Sequence, residues 1–141
     1  MSEKTAQHVR SMNSIVNDLE RIGDIFYQMS KTLERKEELK VWFIPEQRDS
    51  LFEMFKLIDK GFVIMIENLN ADWDGVSLDP ANQVENQINK KRDKMRAEHL
   101  ANLGNTDFNM ESGMIFSNLF SSCEKVGDHI INVSEAIVGK I

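Results

Sequence analysis

Four carboxylates stand in two matched pairs in this chain. Glu20 and Asp24 lie four residues apart in the run Asp18-Leu19-Glu20-Arg21-Ile22-Gly23-Asp24. Glu124 and Asp128 do the same in Ser122-Cys123-Glu124-Lys125-Val126-Gly127-Asp128. The register is shared: 104 residues separate Glu20 from Glu124 and Asp24 from Asp128. In each run a base follows the Glu, then a β-branched aliphatic, then a glycine. Further out, Gln28 matches Asn132 and Ser30 matches Ser134. Positions i and i+4 share one face of a helix, so each run stacks two carboxylates. Like charges so placed destabilise a bare helix by about 0.2–0.5 kcal/mol, and an internal glycine costs about 1 kcal/mol relative to alanine. Clustered carboxylates are hard oxygen donors that suit iron, manganese, magnesium, calcium and, less selectively, zinc. A bound cation would offset their repulsion. Without one, the same residues make a solvated face neutralised by Arg21 and Lys125, and the glycines allow close helix contacts.

The elements that carry these pairs read as helices. From about Thr5 to Lys40, Ile15, Leu19, Ile22, Phe26, Met29 and Leu33 recur at alternating spacings of four and three, a heptad seam flanked by Glu20 and Asp24. Pro45 suits the first position of a second helix, whose seam is Leu51, Phe55, Ile58, Phe62, Met65 and Leu69. Asp72-Trp73-Asp74-Gly75 breaks it. Asp79 and Pro80 fit an N-cap and a first helical residue of a third helix, with Gly104 at its end. That helix is the poorest in apolar residues (Val84, Ile88, Met95, Leu100) and reads as an outer one. Thr106 or Asp107 would cap a fourth helix with the seam Phe116, Leu119, Cys123, Val126, Ile130, Val133 and Ile137. No stretch alternates at period two. The expected fold is all-α, an antiparallel bundle of four main helices in a single domain spanning residues 1–141. The second helix carries more apolar residues than one seam needs (Phe52, Phe62, Val63, Ile64, Ile66), so a second partner is expected there, either another subunit or a further segment.

Composition narrows the function. The net charge of −6 and a pI near 5.1 argue against nucleic acid or anionic lipid as a partner. A single cysteine, Cys123, excludes an internal disulfide and fits a reducing compartment. No apolar run approaches the roughly 20 residues that cross a bilayer, and the polar first residues do not read as a signal peptide. A cytoplasmic, or cytosol-facing, location is expected.

The motif residues Leu19-Glu20-Arg21-Ile22-Gly23-Asp24 and Glu124-Lys125-Val126-Gly127-Asp128-His129 resemble the signature of PhoU-like proteins. Ile88-Asn89, Arg92, Arg96 and His99-Leu100 resemble the preceding helix in the PhoU-like tails of sodium/phosphate cotransporters. Residues 46–141 look like one three-helix repeat, and 5–38 like the last helix of a preceding repeat. The resemblance implies a regulatory domain in phosphate transport or homeostasis, in the cytosolic tail of a sodium/phosphate cotransporter. A free-standing PhoU-type regulator of a phosphate transporter or sensor kinase is the nearest alternative. The resemblance also implies metal ligands at Glu20, Asp24, Glu124 and Asp128, with Glu85 on the neighbouring helix, for a multinuclear centre of iron, zinc or another divalent ion. Partners would be the membrane portion of a transporter or a phosphate-signalling protein, and a second copy in a homo-oligomer.

Other residues add little chemistry. His129 adjoins Asp128 and is a candidate for a metal shell, though a surface histidine is more often solvated. His99 reads as structural, and Cys123 as a small packed hydrophobe. Lys90, Lys91, Arg92, Lys94 and Arg96 would grip phosphate or an acidic loop, or form a solvated basic face. No nucleophile–base pair or phosphate loop occurs, so an enzyme is not expected. The rival from that class is a carboxylate-bridged metal enzyme in a helical bundle.

Overall fold

The computed structural model describes residues 2–104 and 109–140, and among these it holds four α-helices and no strand. Helix α1 spans Glu3–Glu38, α2 Pro45–Asn70, α3 Asp79–Asn102 and α4 Met110–Ile137, with a short 3-10 turn at Trp73–Gly75 between α2 and α3. The all-α bundle expected from the periodicities is the observed fold.

Local chemistry sets the ends. Ser2 caps α1, its hydroxyl accepting from the Thr5 backbone N–H at 3.1 Å. Lys40 takes a left-handed backbone, φ 55°, to turn the chain. Buried Val41 then anchors the link. Pro45 opens α2 as expected, and the Gln47 side chain accepts from the Ile44 backbone N–H at 3.1 Å. The start of α3 lies one residue earlier than the sequence implies. Leu78 occupies the cap position, and Asp79, whose N–H donates to the Ser77 hydroxyl at 3.2 Å, is already helical. Thr106 and Asp107 lie outside the described residues. The side chain that caps α4 is Asn109, accepting from the Ser112 N–H at 3.0 Å.

Helix α4 is the axis of the molecule. It packs against all three other helices, while α2 also packs on α3. Its whole expected seam is buried, and so are Ser112, Gly113, Ile115, Phe120, Gly127, Ile131, Ser134 and Ala136. A helix apolar on most sides has to be central. Contacts between Asn68 and Ser134 and between Gly61 and Ile130 show that α2 runs parallel to α4. Arg92 paired with Glu124, and Ile88 against Gly127, show that α3 runs antiparallel to it. Helix α1 is antiparallel too, with Asp18 beside His129. The architecture is a three-helix bundle, α2 to α4, with α1 laid along α4.

The core stripes of α1 and α2 differ from the expected seams in the same way. Ile15, Ile22 and Met29 are buried, but Leu19, Phe26 and Leu33 are each at least 40% exposed. Their places in the core are taken by buried Ser11 and Asp18 and half-buried Ile25. On α2, Leu51, Ile58 and Met65 are buried, whereas Met54 and Gly61 replace Phe55 and Phe62. On α1 a large apolar residue every seventh position faces outward; on α2 only Phe55 does, while Phe62 and Leu69 are half-buried against the core. The Phe26 and Phe62 rings meet, with centroids 6.0 Å apart. Extending that antiparallel register puts Leu33 level with Phe55 and Leu19 level with Leu69.

Candidate functional site

The two motif copies lie on α1 and α4, and the fold treats them differently. Gly127 is buried, and a Cβ built there would meet Ile88 Cδ1 at 3.2 Å and Cγ2 at 3.3 Å. It is a glycine because α3 crosses α4 closely at that point. Gly23 faces open space, with nothing within 4 Å of an added Cβ. Two identical sequence positions thus serve one internal helix contact and one external surface.

The carboxylates divide in the same way. Glu20 and Asp24 are exposed on α1. Glu124 is half-buried and ion-paired with Arg92, with Arg96 4.0 Å away on the same helix. Asp128 stands one turn further along α4, at the edge between α3 and α4, and Glu85 is half-buried on α3. Burial pushes the Asp128 carboxyl above the ordinary aspartate range, and the nearby Glu124 charge adds to this, against opposing attraction from His129 and Arg92. Glu85 is raised as well, by burial first and then by the charges of Asp128 and Glu135. Glu85, Glu124, Asp128 and Glu135 therefore form an acidic edge on the α3–α4 side.

The pairing of α1 with α4 uses a carboxylate that motif matching did not single out. Asp18 Oδ1 is 2.9 Å from His129 Nδ1 and accepts from Asn132 Nδ2 at 3.3 Å. Asp18 is buried, so two α4 side chains satisfy a charge within the helix interface. The signal for it was in the sequence. Asp18 sits three residues after Ile15 and four before Ile22, on the apolar stripe itself. His129 thereby faces α1 through Nδ1. The groove beside this contact is lined by Ser14, Asn17, Arg21, Glu135 and Lys140.

The basic run of α3 is largely neutralised within the chain. Lys91 pairs with Glu53 of α2, Arg92 with Glu124 and Asp93, and Lys94 with Glu98. The hydrogen bond from Lys91, and then its charge, hold the Glu53 carboxyl below its usual range. His99 lies against the rings of Phe116 and Phe120, each centroid 6.4 Å away.

The structure does not bring Glu20, Asp24, Glu124, Asp128 and Glu85 together in one cluster. Among the described residues, no three His, Cys, Asp or Glu side chains group closely enough to hold an ion. Glu124 already serves two arginines, and the α1 pair faces solvent. Among the described residues no helix is long and apolar enough to cross a membrane. Comparison with protein-family models, with curated proteins and with solved structures finds no match to this chain.

Proposed function

We propose that the chain is a PhoU-like regulatory module of phosphate transport, a cytosolic part of a sodium/phosphate cotransporter that acts by docking and not by catalysis. One observation carries this reading. The acidic motif occurs twice in a single register, and its two copies fall on α1 and α4, the pair of helices that joins the three-helix bundle to its neighbour. The α4 copy is tied to Arg92 and Arg96 and fixes the bundle. The α1 copy leaves Glu20 and Asp24 free to meet a partner. In this reading the carboxylates act first as docking charges, and any metal on them takes further donors from another chain.

The test is phosphate uptake in cells whose own copy of this chain is removed or carries Glu20→Lys with Asp24→Lys. Both changes are expected to raise the uptake of radiolabelled phosphate under phosphate-replete conditions. Uptake that is unchanged in both strains, with the protein present at its normal level in the second, overturns the reading.

A further inference from the structure

The break between α2 and α3 carries a tryptophan that the turn itself does not require. Asp72 caps the turn by accepting from the Asp74 backbone N–H at 3.2 Å. The Trp73 indole N–H donates back to the Leu69 carbonyl at 3.1 Å, which fixes the ring against the end of α2. His8 of α1 lies against that ring, with centroids 4.6 Å apart. The end of α4 closes the same region. Gly139, with φ 87°, turns the chain so closely past α1 that a Cβ there would meet the Gln7 amide nitrogen at 2.5 Å. Three segments far apart in sequence, around residues 4–11, 73–76 and 137–139, thus line one cleft of about 500 Å³. Small-molecule sites run from roughly 300 to 1,000 Å³.

The lining of the cleft indicates what it can hold. Trp73 and His8 give it a flat aromatic wall, and Val76, Ile137 and Val138 an apolar one. Ser11 of α1 lines it too. Ser11 is only 3% exposed, and its hydroxyl has no hydrogen-bond partner among the described residues. Buried hydroxyls are nearly always paired, so an unpaired one at the wall of a cleft points to an occupant. At the rim, Lys4 Nζ and Asp74 Oδ2 stand 3.5 Å apart and offset each other's charge.

We infer that this cleft binds a small uncharged aromatic molecule with a hydroxyl or amide edge. The ring lies along Trp73 and the apolar wall, where aromatic faces stack and bury area together. The polar edge pairs with the Ser11 hydroxyl. The molecule is uncharged because the rim's two charges already pair with each other, and an ion in an apolar cleft without a partner is costly. The inference does not depend on the phosphate reading.

Nuclear magnetic resonance on the nitrogen-15-labelled full chain tests it, with phenol, toluene, benzoate and benzylammonium as probes at neutral pH. Phenol is expected to move the N–H signals of Ser11, Gly139 and the Trp73 indole saturably, with a Kd of about 1 mM, as suits a ligand of so few atoms. Toluene fits the same walls but cannot pair with Ser11, and it is expected to bind about fivefold more weakly, as the loss of one hydrogen bond gives. Both charged probes are expected to bind more weakly than phenol. Ser11→Ala, nearly the same size, is expected to bring phenol down to the level of toluene. Thr5→Phe, at an exposed position on the cleft, is expected to block phenol and toluene alike. The absence of a saturable shift up to ~20 mM phenol, far above that Kd, overturns the inference. So does a preference for phenol over toluene that survives in Ser11→Ala, or tighter binding of either charged probe.

Discussion

Asp18 on α1 and His129 on α4, 111 positions apart in the chain, meet at 2.9 Å inside the interface of their two helices. Asn132 donates to the same carboxylate oxygen. Replacing Asp18 with Ala removes the acceptor shared by half-buried His129 and exposed Asn132. Losing such hydrogen bonds costs about 0.5–1.5 kcal/mol, and urea unfolding at neutral pH is expected to show it. A double-mutant cycle with His129→Ala is expected to be clearly non-additive, as for residues in direct contact. Additive changes would mean that the contact contributes nothing to the α1–α4 joint.

The matched glycines offer an internal comparison. Alanine at Gly23 relieves the helix of a poor former without meeting any neighbour, and a gain of about 0.5–1 kcal/mol is expected. At Gly127 the same change pushes against buried Ile88. Overpacking by about 1–3 kcal/mol outweighs the propensity gain there. Thermal or urea unfolding of the two variants is expected to move in opposite directions.

Acid pH acts through Glu85 and Asp128, both raised above their ordinary values. An acid whose folded pKa exceeds its unfolded value binds its proton more tightly when folded. Its charge opposes folding above the folded pKa, and the penalty fades as the pH falls through that value toward the unfolded one. Asp128→Asn is therefore expected to stabilise the protein at neutral pH, with the gain vanishing below the ordinary carboxylate range. Because Asp128 also raises Glu85, combining it with Glu85→Gln is expected to give less than the sum. Stability measured against pH for the three variants checks both statements.

Cys123 is buried on α4, and desolvation pushes its thiol up to about 12. Thiolate is the reactive species. A disulfide reagent at mildly alkaline pH is expected to label the native protein far more slowly than the urea-unfolded chain. Fast labelling without denaturant would show that α4 opens locally.

Truncating the core gives the largest effect. Met54 and Met95 are both 0% exposed, on α2 and α3. Either one changed to Ala is expected to lose about 2–5 kcal/mol, read as a lowered urea midpoint with an unchanged slope.

The helices and their order were legible because hydrophobic period and helix punctuation act locally. The seam of α4 was read correctly since almost every face of that helix is apolar, so its orientation hardly matters. On α1 the reading failed at every second seam position, and on α2 at Phe55. Leu19, Phe26 and Phe55 outrank Asp18, Ile25 and Met54 in apolar bulk, and a single sequence ranks by bulk. Which side of such a helix turns inward depends on what the neighbour offers. His129 and Asn132 offer α1 hydrogen-bond partners for Asp18, and Val84 and Ile130 pack against α2 at Gly61. The acidic pairs were equally visible, but the arginines that engage Glu124 lie 32 and 28 residues away, on α3. Sequence spacing alone does not reveal that pairing.

The position of α4 at the axis sets an order for assembly. Helix α1 is synthesised before α2 and α3, and the helix that covers its inner stripe only after them. Until α4 is made, the stripe of α1 that packs on it is uncovered, and α2 and α3 lack the helix they both pack on. Joining α1 to α4 closes a loop of about 110 residues, an entropic penalty that grows only slowly with length but delays folding through non-local contacts. During that delay α1 of one nascent chain is open to α4 of another, so an exchange of α1 between copies competes with folding within one chain.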